Sequence, residues 1–105
     1  MGGHPRTLEE GEHIVEAGTS VQFIENGSEL TAVEVGRGGR SPVVARLHRA
    51  LFALGVVIPA YQVRALPSGT VERIVLQRRD GGAITGELGA LTRAAVLPIA
   101  LDTSD

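Results

Sequence analysis

The pair Asn26-Gly27 lies between two alternating runs, and it limits the folds open to this chain more than any other feature. Both residue types tolerate the positive φ angles of a two-residue hairpin turn. Before the pair, Val21 and Phe23 alternate with Gln22; after it, Thr31, Val33 and Val35 alternate with Ala32 and Glu34. A period of two is the mark of a half-buried strand. Residues 20–35 therefore read as an antiparallel hairpin, and the rest of the chain must supply its cover.

Ser41-Pro42 reads as helix N-cap and first helical position. Val43, Val44, Leu47, Leu51 and Leu54 then recur at helical spacing, with Arg46 and Arg49 on another side, His48 on the flank and Gly55 as the stop. "VVIPAYQVRAL" (56–66) is the next strand, with Tyr61, Val63 and Ala65 on one face. Pro59 cannot donate to a ladder, so this strand should be an edge or carry a bulge. Pro67-Ser68-Gly69 is a turn, 70–79 a strand, and Asp80-Gly81-Gly82 its end. Ile84, Leu88, Leu91 and Ala95 mark a second helix, weakened by Gly86 and Gly89. Val96–Leu101 closes as a short strand.

From residue 29 the order is β-α-β-β-α-β. This is a ferredoxin-like α+β sandwich: an antiparallel sheet with two helices on one face, plus an extra N-terminal strand from the hairpin. Residues 1–19 are polar and acidic, with Gly11 and Gly18. Thr7 and Glu10 have capping-box spacing. The segment reads as a flexible arm with room for a short helix, and 20–105 as the domain.

Hydrophobic residues make up 43% of the chain, enough for a core, but only 3% are aromatic, so that core is built from Val, Leu, Ile and Ala. Phe52 and Tyr61 fall on expected core faces. With a net charge of −2 and no aromatics left to stack on bases, nucleic-acid binding is not expected. The absence of cysteine excludes thiolate metal sites and thiol nucleophiles, and the absence of lysine excludes Schiff-base chemistry. The histidines, His4, His13 and His48, form no His-x-x-x-His pair, and Glu9, Glu10 and Glu12 read as a solvated run. No catalytic set, metal site or cofactor is expected. The near-apolar run Ala50–Tyr61 is shorter than the ~20 residues of a membrane span. The N-terminus carries no apolar signal core. A soluble, cytoplasmic, bacterial protein with no membrane partner follows as the expectation.

The segment from about Val21 to Leu101 resembles an ACT domain, the regulatory module of many enzymes of amino-acid metabolism. It is most similar to the ACT repeats of nitrogen-signal uridylyltransferases. The resemblance rests on "LTAVEV", "VVARLHRALFALGVVI", "AYQVRAL" and "RDGG". It implies an amino-acid ligand at a homodimer interface, held near the loop–helix junction, and allosteric regulation by ligand-stabilised pairing. Where the family reads Asp-Arg-Pro-Gly, this chain reads Gly39-Arg40-Ser41-Pro42. Carried onto this chain, Arg40 would hold a carboxylate. Gly38, Gly39 and Ser41 would supply backbone or hydroxyl contacts beside Pro42, and Ile58 and Ala60 an apolar wall. Pro42 has no N–H to offer, which leaves a second expectation open: a ligand-free dimerisation or protein-docking module.

Read without the family, Gly36-Arg37-Gly38-Gly39-Arg40-Ser41 is a Gly/Arg loop opening a helix. It suits a small anion and equally a solvated turn. Both faces of the central strands are partly apolar, so the uncovered face should need the arm, the 20–25 strand or a second subunit.

Overall fold

The computed structural model describes residues 10–16, 18–38 and 42–102. Strands β1 (Glu10–Glu16), β2 (Thr19–Asn26) and β3 (Glu29–Arg37) are followed by helix α1 (Val44–Phe52). Strands β4 (Val56–Leu66) and β5 (Gly69–Arg78) and helix α2 (Gly86–Ala100) complete the chain. The five strands form one sheet in the order β1-β2-β3-β5-β4, and every neighbouring pair is antiparallel. Because β3 and β4 both run against β5, they run parallel to each other, and α1 carries the chain across β5 between them.

Register assigns the faces. Val21, Val35 and Glu72 are cross-strand neighbours, as are Phe23, Val33 and Ile74. The apolar ones among these side chains meet Leu47 and Leu51 of α1 and Val96 and Ala100 of α2 in a single buried core, with Glu72 buried at its margin. Ser20, Gln22, Glu34, Arg73 and Gln62 line the opposite, uncovered face. That face is not the bare apolar surface expected from the alternation. Arg73 pairs with Glu34 at 2.7 Å, His13 Nε2 lies 3.0 Å from Ser20 Oγ, and Ile24 and Ala32 are buried. The 20–25 segment contributes an ordinary sheet strand rather than a cover.

The final strand of a βαββαβ order is not formed: residues 96–100 are the end of α2. In that topology the last strand pairs beside the first. Here the position beside β3 is taken by β2, so the last segment has no edge to join. It winds instead, and Gly89, Thr92, Val96 and Ala100, spaced three and four apart, become a buried stripe. The hydroxyl of Thr92 is satisfied by the Leu88 carbonyl at 2.7 Å. Pro98 sits exposed within the last turn. It supplies no N–H toward the Ala94 carbonyl, at a cost on the order of 3 kcal/mol in a helix interior and less near an end. Pro98→Ala should therefore raise the thermal midpoint, with a gain of about 1 kcal/mol after the added freedom of the unfolded chain is offset. A lowered midpoint in a melting experiment would speak against a helix here.

The N-terminal arm also needs correcting. Glu10–Glu16 is the outer strand β1, so the sheet begins ten residues before the expected boundary at residue 20. Thr7, half of the capping-box spacing, lies outside the described residues. Helix α1 starts at Val44 with Val43 as its N-cap, so Pro42 precedes the helix instead of opening it. Its end matches the sequence reading: the Gly55 N–H donates to the Phe52 carbonyl at 3.0 Å. Strand β4 is both an edge and bulged, with a register shift between Val57 and Ala60 that accommodates Pro59. Among the described residues no helix is long and apolar enough to cross a membrane.

Candidate functional site

The expected ligand junction can be followed from both ends. Gly39, Arg40 and Ser41 lie outside the described residues. Gly38 closes β3 and lines a cleft of about 340 Å³ on the uncovered face, with Gly36, Arg64 and Thr70 among its other walls. Pro42 is exposed. Ile58 and Ala60 do not form one wall. The bulge at Pro59 shifts the parity of β4, so Ile58 faces α1 while Ala60 pairs with Val75 on the uncovered face.

The residue that organises this end of the molecule is Glu72. Alternation along β5 places it on the same face as Ile74 and Leu76, and it is only 2% exposed. Both of its carboxylate oxygens accept the Val43 N–H, at 3.2 Å each. One of them also accepts the Tyr61 hydroxyl at 2.9 Å. Val43 is the N-cap of α1, whose unsatisfied N–H groups and dipole favour a negative charge. A side chain from the middle of the sheet thus takes the place an anionic ligand would take at that helix. The alternation already placed Glu72 inward; sequence reasoning passed over it because a carboxylate among aliphatics reads as a solvent-facing residue.

Tyr61 joins this arrangement from β4. Its ring is 37% exposed while its hydroxyl turns in to Glu72. Burial of that hydroxyl, reinforced by the hydrogen bond to Glu72 and by its negative charge, pushes the phenol up to about 12.

A second feature lies outside this cluster. The two helices pack over the middle of the sheet and leave β4 uncovered from Pro59 to Leu66. Phe52 and Tyr61, expected in the core, border this bare edge. Helix α1 buries only Leu47 and Leu51, so the next position, Phe52, points outward and is 49% exposed. Val63 is 51% and Leu66 42% exposed. Val44, Ala45, His48, Arg49, Phe52, Ile58 and Tyr61 enclose an open groove of about 600 Å³ between α1 and β4. The Arg79 guanidinium lies over the Phe52 ring at 4.7 Å, and His48 stacks tilted against it at 6.1 Å.

The described residues contain no cluster of three or more His, Asp or Glu side chains arranged to hold a metal. The contact between His13 and Ser20 is a base beside a hydroxyl. It lies on the exposed outer strands, and no described carboxylate orients the ring. It reads as a cross-strand hydrogen bond. No protein-family model, curated protein or solved structure matches this chain.

Proposed function

We propose that this chain is a non-catalytic, ACT-like docking module that binds another macromolecule through its α1–β4 face and takes no small ligand at the loop–helix junction. The observation that carries this reading is Glu72. Pro42 offers no N–H, and the N–H of Val43 is already held by the Glu72 carboxylate. A free amino acid arriving at the mouth of α1 would have to displace a buried carboxylate with its own. The run β3-α1-β4-β5-α2 supports the ACT-like part of the reading, and the exposed aromatic and aliphatic side chains beside an open sheet edge support the docking part.

A second reading, an amino-acid sensor, draws on the cleft beside Gly38, where Arg64 could meet a carboxylate. A thermal-melt panel of amino acids, nucleotides and phosphate separates the two. The docking reading expects a flat panel. A sensor saturated at a hundred times its Kd would gain ~2.7 kcal/mol, a shift of several degrees at this size. Such a shift, lost in Arg64→Ala, would replace the docking reading with the sensor.

A further inference from the structure

The α1–β4 face is charged as well as apolar. Helix α1 and strand β4 contain Arg46, His48, Arg49 and Arg64 and not one aspartate or glutamate. Yet the whole chain has more acidic residues than basic ones, 12 against 10. Arg46 is engaged with Asp102 at 3.2 Å. Among the described residues no carboxylate pairs with Arg49 or Arg64, and Arg79 at the rim is stacked on Phe52. Two carboxylates approach this face, Glu72 buried beneath Tyr61 and Asp102 paired with Arg46; others lie on β1, on the uncovered face and at the start of α2.

We propose that the occupant of this face is an extended segment of a different protein, alternating apolar and acidic side chains, that adds to β4 as a sixth strand. This rests on the docking reading above and names its partner. An edge strand turns the N–H and C=O of every second residue outward, ready to pair. Beyond the bulge the open edge runs from Ala60 to Leu66. Tyr61 and Val63 share a face with Ile74 and Glu72, whereas Gln62 and Arg64 share the opposite face with Arg73 and Val71. A strand laid alongside would alternate in the same way. Its apolar side chains would enter the groove against Ile58, Phe52 and Tyr61, with Arg49 at the rim. Its acidic side chains would meet Arg64. Aromatic anchors ringed by arginine are the usual composition of a binding hot spot.

Charge also disfavours the simplest competitor. A two-fold pairing of β4 with a second copy is isologous. Every basic group on this face would then meet only the neutral or basic groups of its own image, with no carboxylate to answer Arg49 or Arg64.

The test uses fluorescence anisotropy of the full chain with three short labelled peptides that alternate valine with glutamate, serine or lysine. The glutamate peptide should bind about tenfold or more tightly than the serine peptide, a difference of ~1.4 kcal/mol or more, and the lysine peptide should not bind. Arg64→Glu, at an exposed position that leaves the core intact, should remove the preference for glutamate, and Val63→Asp should remove binding. Equal binding of the glutamate and serine peptides, still lost in Val63→Asp, would overturn the acidic occupant while leaving a docking face. Sedimentation at twice the 11.0 kDa chain mass, lost in Val63→Asp, would overturn it in favour of a second copy. A monomer that binds none of the peptides would overturn both this proposal and the docking reading.

Discussion

Gly69→Ala should cost roughly 2–6 kcal/mol, combining about 1–3 kcal/mol of backbone strain with about 1–3 kcal/mol of overpacking. Gly69 follows the Pro67-Ser68 turn with φ +147°, a region that L side chains rarely adopt. A Cβ at this position would run into the Arg37 carbonyl oxygen and lie 2.9 Å from Gly38 Cα. Both obstructions are backbone atoms at the end of β3. Nor can that strand end shift freely, because the Arg37 guanidinium is buried and donates to the Asp102 carbonyl at 3.1 Å. The control is Gly27→Ala in the β2–β3 turn. Gly27 has φ +66° but open space where its Cβ would stand, so only the strain of about 1–2 kcal/mol applies. Urea titration of both variants checks the difference. Equal losses would mean that the approach of the β4–β5 turn to β3 is looser than described.

Glu72→Ala should be the second severe change, at about 3–4 kcal/mol. It leaves the Val43 N–H and the Tyr61 hydroxyl without their acceptor, at ~1–3 kcal/mol for each buried unsatisfied group, and it opens a cavity beneath the start of α1. Glu72→Gln keeps one acceptor oxygen and should cost less, about 1–2 kcal/mol. Pairing Glu72→Leu with Tyr61→Phe removes one orphaned hydroxyl and refills the space, so the double variant should be more stable than the two separate losses add up to.

Tyr61 reports on the same arrangement without any change to the fold. It is the one tyrosine of the chain, which contains no tryptophan, so phenolate absorbance in the near ultraviolet belongs to it alone. The folded protein should titrate at about 12 and the denatured chain at about 10. Glu72→Gln should move the folded midpoint back toward 10. The sign for stability follows. The fold favours the neutral phenol, so this contribution is complete below pH about 10 and is lost as pH rises through about 12.

Much of the fold was legible because local signals agreed with one another. Asn26-Gly27 marked the β2–β3 hairpin, although its two-residue turn is Gly27-Ser28 with Asn26 paired to Glu29; Gly55 ended α1, and Pro59 marked an edge strand with a bulge. The misreadings at the two ends of the chain share one physical cause: which segment holds the place beside β3. A short apolar run such as "VLPIAL" suits a buried strand or a buried helix face, and nothing local decides between them. The decision rests with β2, which occupies that place from the other end of the chain. The same competition explains β1, whose Glu- and Gly-rich sequence has poor strand propensity but pairs with β2 once β2 is in the sheet. Phe52 and Tyr61 were expected inside because their neighbours are apolar. They lie outside because a nine-residue helix and a fifteen-residue helix cover the middle of a five-stranded sheet and do not reach its β4 edge.

Less of the candidate site was legible. Gly38 and Pro42 could be placed near the helix mouth from the sequence, but the carboxylate that fills that mouth comes from Glu72, on the next strand but one, and only tertiary structure brings it there. The parity shift at Pro59, which separates Ile58 from Ala60, was foreshadowed by the proline, but its consequence for the two faces was not drawn.

The α1–β4 face is tested most directly by a photoreactive side chain placed at Val63 and, as a comparison, at Leu91, which is similarly exposed at 46% on α2. On illumination in the producing cells, the docking account predicts a discrete higher-mass adduct from position 63, none from position 91, and loss of the adduct when Arg64→Glu is added. Equal labelling at the two positions, or none at position 63, would contradict it, and the exposed edge of β4 would then be surface without a partner.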